Sequence, residues 1–149
     1  MKVSEIMSSP VKTIKGDQTL EQAAQMMLDN NIGGVPVVGD DGKLIGIVTE
    51  TDFSAKEHAI PFSRVYAPQL FGEWMSKEGV DKAYEAASKI TVDKIMSAPV
   101  VTVGKEDTVA EAVRRMLECH VHRVVVSEDG MPVGIVSRHD LLKLVVRVL

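Results

Sequence analysis

The sequence is poor in the features that mark secreted, membrane-spanning and nucleic-acid-binding proteins. One of its 149 residues is a cysteine, so no disulfide can form within the chain, and we expect a reducing, cytoplasmic location. No run approaches the ~20 apolar residues that cross a bilayer, and the first residues lack the apolar core of a signal peptide. The formal net charge of −4 comes without a basic cluster. We therefore expect neither a nucleic-acid nor a membrane partner.

Aromatic residues are equally scarce, at 4% of the chain, and they are confined to one stretch. They are Phe53, Phe62, Tyr66, Phe71, Trp74 and Tyr84. The pattern over residues 80–90 predicts a helix in the same region. Two interpretations stay open. The stretch folds as a small satellite core, or it forms a surface for a partner or a second copy, since aromatic side chains contribute much of the binding energy at interfaces.

What the chain has instead is an internal repeat. Met-Ser-Ser-Pro-Val at residues 7–11 returns as Met-Ser-Ala-Pro-Val at 96–100. Gly-Ile-Val-Thr-Glu-Thr-Asp at 46–52 returns as Gly-Ile-Val-Ser-Arg-His-Asp at 134–140. One packed unit used twice, with pseudo-two-fold symmetry, predicts two related clefts and no single catalytic centre. The expected division is a first repeat, a connector and a second repeat, over residues 1–53, 54–90 and 91–149.

The first copy predicts the order β-α-β-β-α. A strand over residues 11–14 precedes a helix that Thr19 caps, with Gln22 completing the capping box. Apolar residues at helical spacing, among them Leu28, predict its buried face. Two more strands and a second helix follow, over residues 35–38, over 44–48 and from Thr49.

The second copy predicts the same elements. Thr108 caps its first helix, with Glu111 completing the box and Leu117 on the apolar face. The strands are expected over residues 100–103, 124–126 and 133–136, and the last helix from Leu141. The fold class is therefore α/β (α+β), with helices covering each of two small sheets.

The motifs of both copies resemble those of the CBS-domain family. The likeness lies in the Met-x-x-Pro-Val segments, in Val-Pro-Val-Val at 35–38 and in Gly-Ile-Val-[Thr/Ser]-x-x-Asp, and it covers residues 3–53 and 92–147. The resemblance implies a tandem pair, or Bateman module. Such pairs bind adenine nucleotides in two clefts between the repeats and commonly form homodimers.

The hydroxyl-x-x-Asp element has its own chemistry. Thr49 and Ser137 each follow a strand and begin a helix, where free N–H groups favour an anion. Asp52 and Asp140 lie three residues on, and a carboxylate can accept hydrogen bonds from both vicinal hydroxyls of a ribose. The competing interpretation is that these side chains only cap the helix. Both can hold if the capped carboxylate keeps free lone pairs.

The resemblance assigns residues to two clefts. The main nucleotide cleft would contain Ile14, Lys15, Ile32, Gly33, His122, Arg123, Ser137, Arg138, His139 and Asp140. The second would contain Thr49, Thr51, Asp52, Val103, Gly104 and Val121, with His122 beside it.

Differences between the copies favour the Asp140 cleft. Gly33-Gly34 leaves room for a ring where the second copy has His122-Arg123, and Arg138-His139 replaces Glu50-Thr51. Arginine and histidine side chains suit phosphate. The alternative is that Arg138 points to solvent and Arg123 pairs with a nearby acid.

Catalysis and metal binding are not expected. Neither Asp element has an adjacent base to activate a nucleophile, and no Walker-type loop is present. Cys119, His120 and His122 match no common zinc spacing, and Cys119 is expected to be a buried thiol at a helix end.

We therefore expect a non-enzymatic regulatory module that needs no cofactor and senses an adenine nucleotide. AMP is the first choice, ADP and ATP follow, and S-adenosylmethionine suits the cations less well. The repeats nearly fill the chain, so the signal would pass in trans to a separate protein partner, from a homodimer. The alternative is a dimerising scaffold that docks a partner through the connector and has vestigial nucleotide sites.

Overall fold

The computed structural model describes residues 1–55, 85–86 and 88–148. Residues 85, 86 and 88 of the expected helix over 80–90 are helical. The rest of that helix and five of the connector aromatics, Phe62, Tyr66, Phe71, Trp74 and Tyr84, lie outside the described residues. Within the described part of the chain, every helix is too short or too polar to cross a membrane.

The first repeat builds a three-stranded sheet in the order β1-β2-β3 with two helices. Its elements are β1 (Ile14–Lys15), α1 (Leu20–Asp29), β2 (Gly34–Val38), β3 (Leu44–Thr49) and α2 (Glu50–Ala55). The capping box of α1 is confirmed. The Thr19 hydroxyl accepts the Gln22 N–H at 3.2 Å, and Oε1 of Gln22 accepts the Thr19 N–H at 2.9 Å.

The second repeat builds a matching sheet in the order β4-β5-β6. Its elements are β4 (Thr102–Val103), α3 (Val109–Glu118), β5 (Arg123–Glu128), β6 (Met131–Ser137) and α4 (Leu142–Val148). β4 runs parallel to β5, and β5 pairs antiparallel with β6 in a register that sets Arg123 opposite Ser137. The α/β (α+β) fold class and the repeated order of elements are confirmed.

One capping prediction fails in the second repeat. The Thr108 hydroxyl accepts the Glu111 N–H at 3.1 Å, as expected. The Glu111 carboxylate does not complete a box, because it pairs with Arg114 and with Nε of Arg115 at 2.7 Å. Two guanidinium groups on the same helix outcompete a backbone N–H for this carboxylate.

The described residues fall into two compact units that do not coincide with the sequence repeats. Unit 1 contains residues 1–13, 38–45 and 99–148, and unit 2 contains residues 14–37 and the described residues within 46–98. Each unit therefore joins most of one repeat to the first residues of the other repeat, and unit 1 also contains residues 38–45 of the first repeat. We call residues 1–13 lead segment 1 and residues 90–98 lead segment 2. The strand expected over residues 11–14 starts only at Ile14, where the chain passes from unit 1 into unit 2.

Each lead segment supplies core residues to the unit it joins. Val3 and Ile6 of lead segment 1 are buried with Val124 and Val136 in the core of unit 1. Val92 and Ile95 of lead segment 2 are buried in the core of unit 2, with Val35, Val37 and Val48 among others. Burying such a side chain stabilises the fold by about 1.5–3 kcal/mol. The core residues of each lead segment therefore help to stabilise the unit that the segment joins.

The buried helix faces are narrower than periodicity predicts. Ala23 and Met27 of α1 are buried, whereas Leu28 is 77% exposed. In α3, Met116 is buried and Leu117 is 71% exposed. Both leucines were expected on the apolar face, and that expectation is wrong, because each lies one position beyond the last buried residue of its helix and turns away from its unit's core.

Candidate functional site

The Asp140 element is a closed set of hydrogen bonds in unit 1. Oδ2 of Asp140 accepts the Ser137 N–H at 2.9 Å and the Ser137 hydroxyl at 3.2 Å. Oδ1 accepts the Ser8 hydroxyl at 3.0 Å and lies 2.8 Å from Nζ of Lys143. Lys143 also donates to the backbone oxygen of Ile6 at 3.0 Å. Lead segment 1 and the last helix are thus tied to one carboxylate, which is only 3% exposed.

These contacts settle the charge state of Asp140. Burial alone would raise the pKa of its carboxyl, since removal from water disfavours the charged form. The hydrogen bonds from Lys143, from the Ser137 N–H and from the Ser8 hydroxyl outweigh burial and hold the pKa below its ordinary value. Asp140 is therefore ionised at neutral pH.

The Asp52 element repeats this arrangement in unit 2. Oδ2 of Asp52 accepts the Thr49 N–H at 2.8 Å and the Thr49 hydroxyl at 3.3 Å. Oδ1 accepts the hydroxyl of Ser97, from lead segment 2, at 2.9 Å. Asp52 is 4% exposed. Its counterpart of Lys143 is Ala55, and an alanine cannot form the ion pair that Lys143 forms.

Two glycines let the lead segments come close enough for these bonds. Ser8 pairs with Ile135 in β6, and Ser97 pairs with Ile47 in β3, each through an isolated antiparallel bridge. A Cβ on Gly134 would lie 2.6 Å from Sδ of Met7, and a Cβ on Gly46 would lie 2.4 Å from Sδ of Met96. The glycine of Gly-Ile-Val and the methionine of Met-Ser-x-Pro-Val therefore match each other sterically.

The capping interpretation thus describes real contacts, because each carboxylate accepts the N–H and the hydroxyl three residues before it. A carboxylate offers about four lone-pair positions, and at Asp140 four donors meet them. The expectation of lone pairs left free for a ribose does not hold at Asp140. A ribose hydroxyl can bind there only in exchange for a present donor.

Sequence reasoning missed Ser8, Ser97 and Lys143. The two serines occupy the same place in the repeated Met-Ser-x-Pro-Val segment, so the repeat itself was a signal for a shared role. Lys143 lies three residues after Asp140, and Ala55 lies three residues after Asp52. Only a comparison of these two positions could have pointed to Lys143. Nothing within either repeat alone connects a lead segment to the Asp of the other repeat.

Residues assigned to the main cleft lie in both units. Unit 1 holds His122, Arg123, Ser137, Arg138, His139 and Asp140. There Arg123 of β5 is paired with Ser137 of the neighbouring strand β6. The Arg138 N–H donates to the His122 carbonyl at 3.1 Å. Arg138 and His139 are exposed. Two arginines and two histidines therefore lie next to the end of β6, either along the chain or through its pairing with β5.

The remaining main-cleft residues, Ile14, Lys15, Ile32 and Gly33, belong to unit 2. Ile14 is 1% exposed and is part of the core. Lys15 is exposed, and its N–H donates to Oε1 of Gln18 at 2.9 Å. Ile32 and Gly33 line a groove beside α1.

The residues assigned to the second cleft also divide between the units. Thr49, Thr51 and Asp52 belong to unit 2, and Val103, Gly104 and Val121 to unit 1. Val103 is 2% exposed and packs in the core. Thr51 is exposed, and the Gly104 N–H donates to Oδ2 of Asp107 at 2.8 Å. Val121 lines a groove beside α3.

The two grooves occupy equivalent places in the two units. The groove of unit 2 has a volume of about 460 Å³ and is lined by Leu28, Gly33, Glu50 and Phe53 among others. The groove of unit 1 has about 270 Å³ and is lined by Leu117, His120, His122, Arg138 and Leu141 among others. The first carries an acid where the second carries Arg138, and the glycine-lined groove is the larger.

The prediction of a buried thiol at Cys119 is wrong. Cys119 is exposed at the C-cap of α3. The chain turns there through His120, which has a positive φ of 53°. Cys119 therefore lies beyond the buried face that Ala112 and Met116 form. In the described residues, no three His, Cys, Asp or Glu side chains lie close enough to hold a metal ion.

Comparison with known proteins gives consistent matches. The chain is 34% identical over 142 residues to the protein MJ1404 of Methanocaldococcus jannaschii, covering 95% of this chain and 31% of that protein. The CBS domain of a CBS domain-containing membrane protein from Sphaerobacter thermophilus is 40% identical, with a TM-score of 0.78 over 97% of this chain and 87% of that chain. The CBS domain pair of MJ0100, solved with 5′-methylthioadenosine and S-adenosylmethionine, is 25% identical, with a TM-score of 0.72 over 100% of this chain and 98% of that chain.

The chain spans 31%, 57% and 24% of the lengths of the first three curated relatives that it matches. The family model for the CBS domain matches it twice, over residues 3–57 and 92–147. These two matches take in both Asp elements and both lead segments except their first residues. The chain therefore belongs to the CBS domain family, as a pair of CBS domains.

Proposed function

We propose that this CBS pair is a regulatory module that binds an adenine nucleotide, AMP first, and signals in trans to a separate protein partner. The observation that carries the proposal is the matched pair of hydroxyl-x-x-Asp elements. Each presents a buried carboxylate next to a hydroxyl at the end of a strand, which is the chemistry that recognises a ribose. The MJ0100 pair, whose ligands both contain adenosine, supports an adenosine ligand for this fold.

The charges beside the two elements favour a phosphate at the Asp140 element. Arg138 and His139 follow Ser137 directly, and both are exposed. Glu50 and Thr51 hold these positions after Thr49. Arg presents paired donors that match phosphate oxygens, whereas a carboxylate such as Glu50 repels them. The proposal therefore makes Asp140 the main nucleotide site and Asp52 the second.

The test is a ligand panel of AMP, ADP, ATP, S-adenosylmethionine and 5′-methylthioadenosine. Thermal unfolding ranks the ligands, and calorimetry measures the dissociation constant of the best one. A ligand at 100 times its dissociation constant stabilises the folded state by about 2.7 kcal/mol. We expect AMP to raise the melting temperature most. If millimolar concentrations of all five leave it unchanged, the proposal is wrong.

A second candidate function is a dimerising scaffold, and the two grooves favour it. Each groove has a large exposed leucine at its rim, Leu28 in unit 2 and Leu117 in unit 1. Glu50 lines the first groove, and Arg138 lines the second. Apolar surface with opposite charges fits a second copy of this chain, with the unit 2 groove of one copy against the unit 1 groove of the other.

Charge reversal tests this arrangement by sedimentation equilibrium. Glu50→Arg would place two cations together, and Arg138→Glu would place two acids together, so each variant should weaken a dimer. The double variant restores opposite charges and should restore the dimer. If like grooves faced each other, Glu50→Arg would only exchange one like-charge pair for another. A monomeric wild-type chain, or single variants that dimerise as well as wild type, would contradict the arrangement.

A further inference from the structure

We propose that Lys143 is a built-in competitor of the ligand at Asp140. A ribose hydroxyl would bind the Asp140 carboxylate by displacing the Lys143 ammonium. The same event would break the polar link between α4 and lead segment 1, because Lys143 contacts both. This inference rests on the proposed nucleotide function and adds to it the residue that sets the affinity and carries the signal.

Asp140 has no acceptor position to spare. Four donors reach its two oxygens, from the Ser137 N–H, the Ser137 hydroxyl, Ser8 and Lys143. Its exposed fraction is 3%, so the carboxylate must keep partners at all times. A ligand therefore has to bring donors of its own as it removes one. A ribose hydroxyl meets this requirement, because it can donate at the one acceptor position that is vacated.

The four donors to the Asp140 carboxylate differ in mobility. Ser137 donates from within the same turn. The backbone of Ser8 is fixed to Ile135 by two hydrogen bonds of 2.9 and 3.2 Å, so its hydroxyl can move only by rotation about one side-chain bond. Lys143 reaches Asp140 through a long side chain that is 47% exposed. Its ammonium can turn into water without any backbone movement, so Lys143 is the donor that leaves.

Departure of the Lys143 ammonium from Asp140 would also affect lead segment 1. The Lys143 ammonium bridges Oδ1 of Asp140 and the backbone oxygen of Ile6, at 2.8 and 3.0 Å. Ile6 belongs to lead segment 1, and Lys143 belongs to α4. Loss of the bridge frees one side-chain link between these two parts of unit 1. Ligand binding can shift their arrangement by as much as the ligand prefers the released form.

The second repeat element provides the natural comparison. Ala55 occupies the position of Lys143 and has no ammonium to displace. The position of Lys143 therefore provides no ammonium in the Asp52 element. Occupancy of the Asp140 element would therefore break a link to α4 that depends on Lys143.

The experiment measures adenosine and AMP binding by calorimetry for wild type, Lys143→Ala, Lys143→Met and Ala55→Lys. Adenosine has no phosphate, so removing a cation does not itself weaken its binding. An exposed ion pair contributes about 0.2–1 kcal/mol, and about 1.4 kcal/mol changes affinity tenfold. We therefore expect both Lys143 variants to bind adenosine about 1.4- to five-fold more tightly. Lys143→Met keeps the aliphatic stem and separates loss of charge from loss of packing.

Lys105→Ala is the matched control. Lys105 also lies in unit 1 and pairs with Glu128 at 3.1 Å, with its side chain 42% exposed. Its removal should leave adenosine affinity unchanged. Equal or weaker adenosine binding by Lys143→Ala and Lys143→Met would overturn the competitor role alone. Absence of adenosine and AMP binding by every variant and by wild type would overturn the proposed function and this inference with it.

Discussion

Asp140 and Asp52 are held in the same way in their two units, yet their neighbours differ in charge. Both carboxylates accept an N–H and a hydroxyl from the residue three positions before, and a serine from a lead segment. Lys143 adds an ammonium at Asp140, and Ala55 replaces it near Asp52. The duplication therefore accounts for the frame of each site. Substitutions around that frame place Lys143, Arg138 and His139 at the Asp140 element, where the Asp52 element has Ala55, Glu50 and Thr51.

The largest effect is expected from removing either carboxylate. Asp140→Ala and Asp52→Ala should each lower the free energy of unfolding by about 3 kcal/mol, because buried donors lose their acceptor. Asp140→Ala should lose somewhat more, since it also breaks the Lys143 pair. Urea unfolding measures both losses. Asp17→Ala, at an exposed carboxylate, is the control and should change stability by less than about 0.5 kcal/mol. Losses as small as that of the control would refute the common frame.

A smaller effect is expected from filling the glycine positions that admit the lead segments. Gly46→Ala and Gly134→Ala should each cost about 1–3 kcal/mol, because the added methyl group collides with Met96 or Met7. Gly104→Ala is the matched control, since its Cβ would lie no closer than 3.5 Å to any side chain. Equal melting temperatures of all three variants would contradict the steric match between each glycine and its methionine.

The serine donors should contribute less again. Ser8→Ala and Ser97→Ala each remove one hydrogen bond to a carboxylate that keeps other donors, so we expect a loss of about 1 kcal/mol for each. Ser9→Ala removes only an exposed contact of 3.3 Å to the Val133 carbonyl and should cost less. Equal stability of Ser8→Ala and wild type in urea would mean that lead segment 1 is not held through Asp140.

The smallest effect is the pH dependence of the Asp140 frame. The pKa of Asp140 is held below its ordinary value of 3.8 in the folded state. A lowered folded-state pKa stabilises the fold above the unfolded pKa, and this contribution is lost as the pH falls through the folded pKa. The stability difference between wild type and Asp140→Asn should therefore shrink on acidification from pH 7 to pH 3. If this stability difference grew on acidification, the pKa of Asp140 would not be lowered in the folded state.

The local features of the fold could be predicted from sequence because their causes are local. The cap of α1 at Thr19 and the strand pattern at 35–38 depend on residues a few positions apart. The exchange of lead segments depends on contacts such as Ser8 with Asp140, between residues far apart in the chain. Periodicity also assigned Leu28 to a buried face, because it records which residues are apolar and not which of them find a neighbour.

The candidate site could be predicted to a similar extent. The hydroxyl-x-x-Asp pattern identified Asp52 and Asp140 because both copies carry it. It did not show that the acceptor positions of Asp140 are full, since Lys143 and Ser8 lie outside the motif. Ile14 and Val103 were assigned to ligand clefts from resemblance, and their burial in the cores shows that such an assignment does not say which atoms are exposed.

The most direct test of the central claim is a calorimetric titration of AMP into wild type, Asp140→Asn and Asp52→Asn. The account predicts that wild type binds AMP and that Asp140→Asn weakens the tighter binding event by about tenfold or more, since hydrogen bonds to a charged group are lost. Asp52→Asn should leave that event nearly unchanged. Equal losses from the two variants, or a loss only from Asp52→Asn, would contradict it.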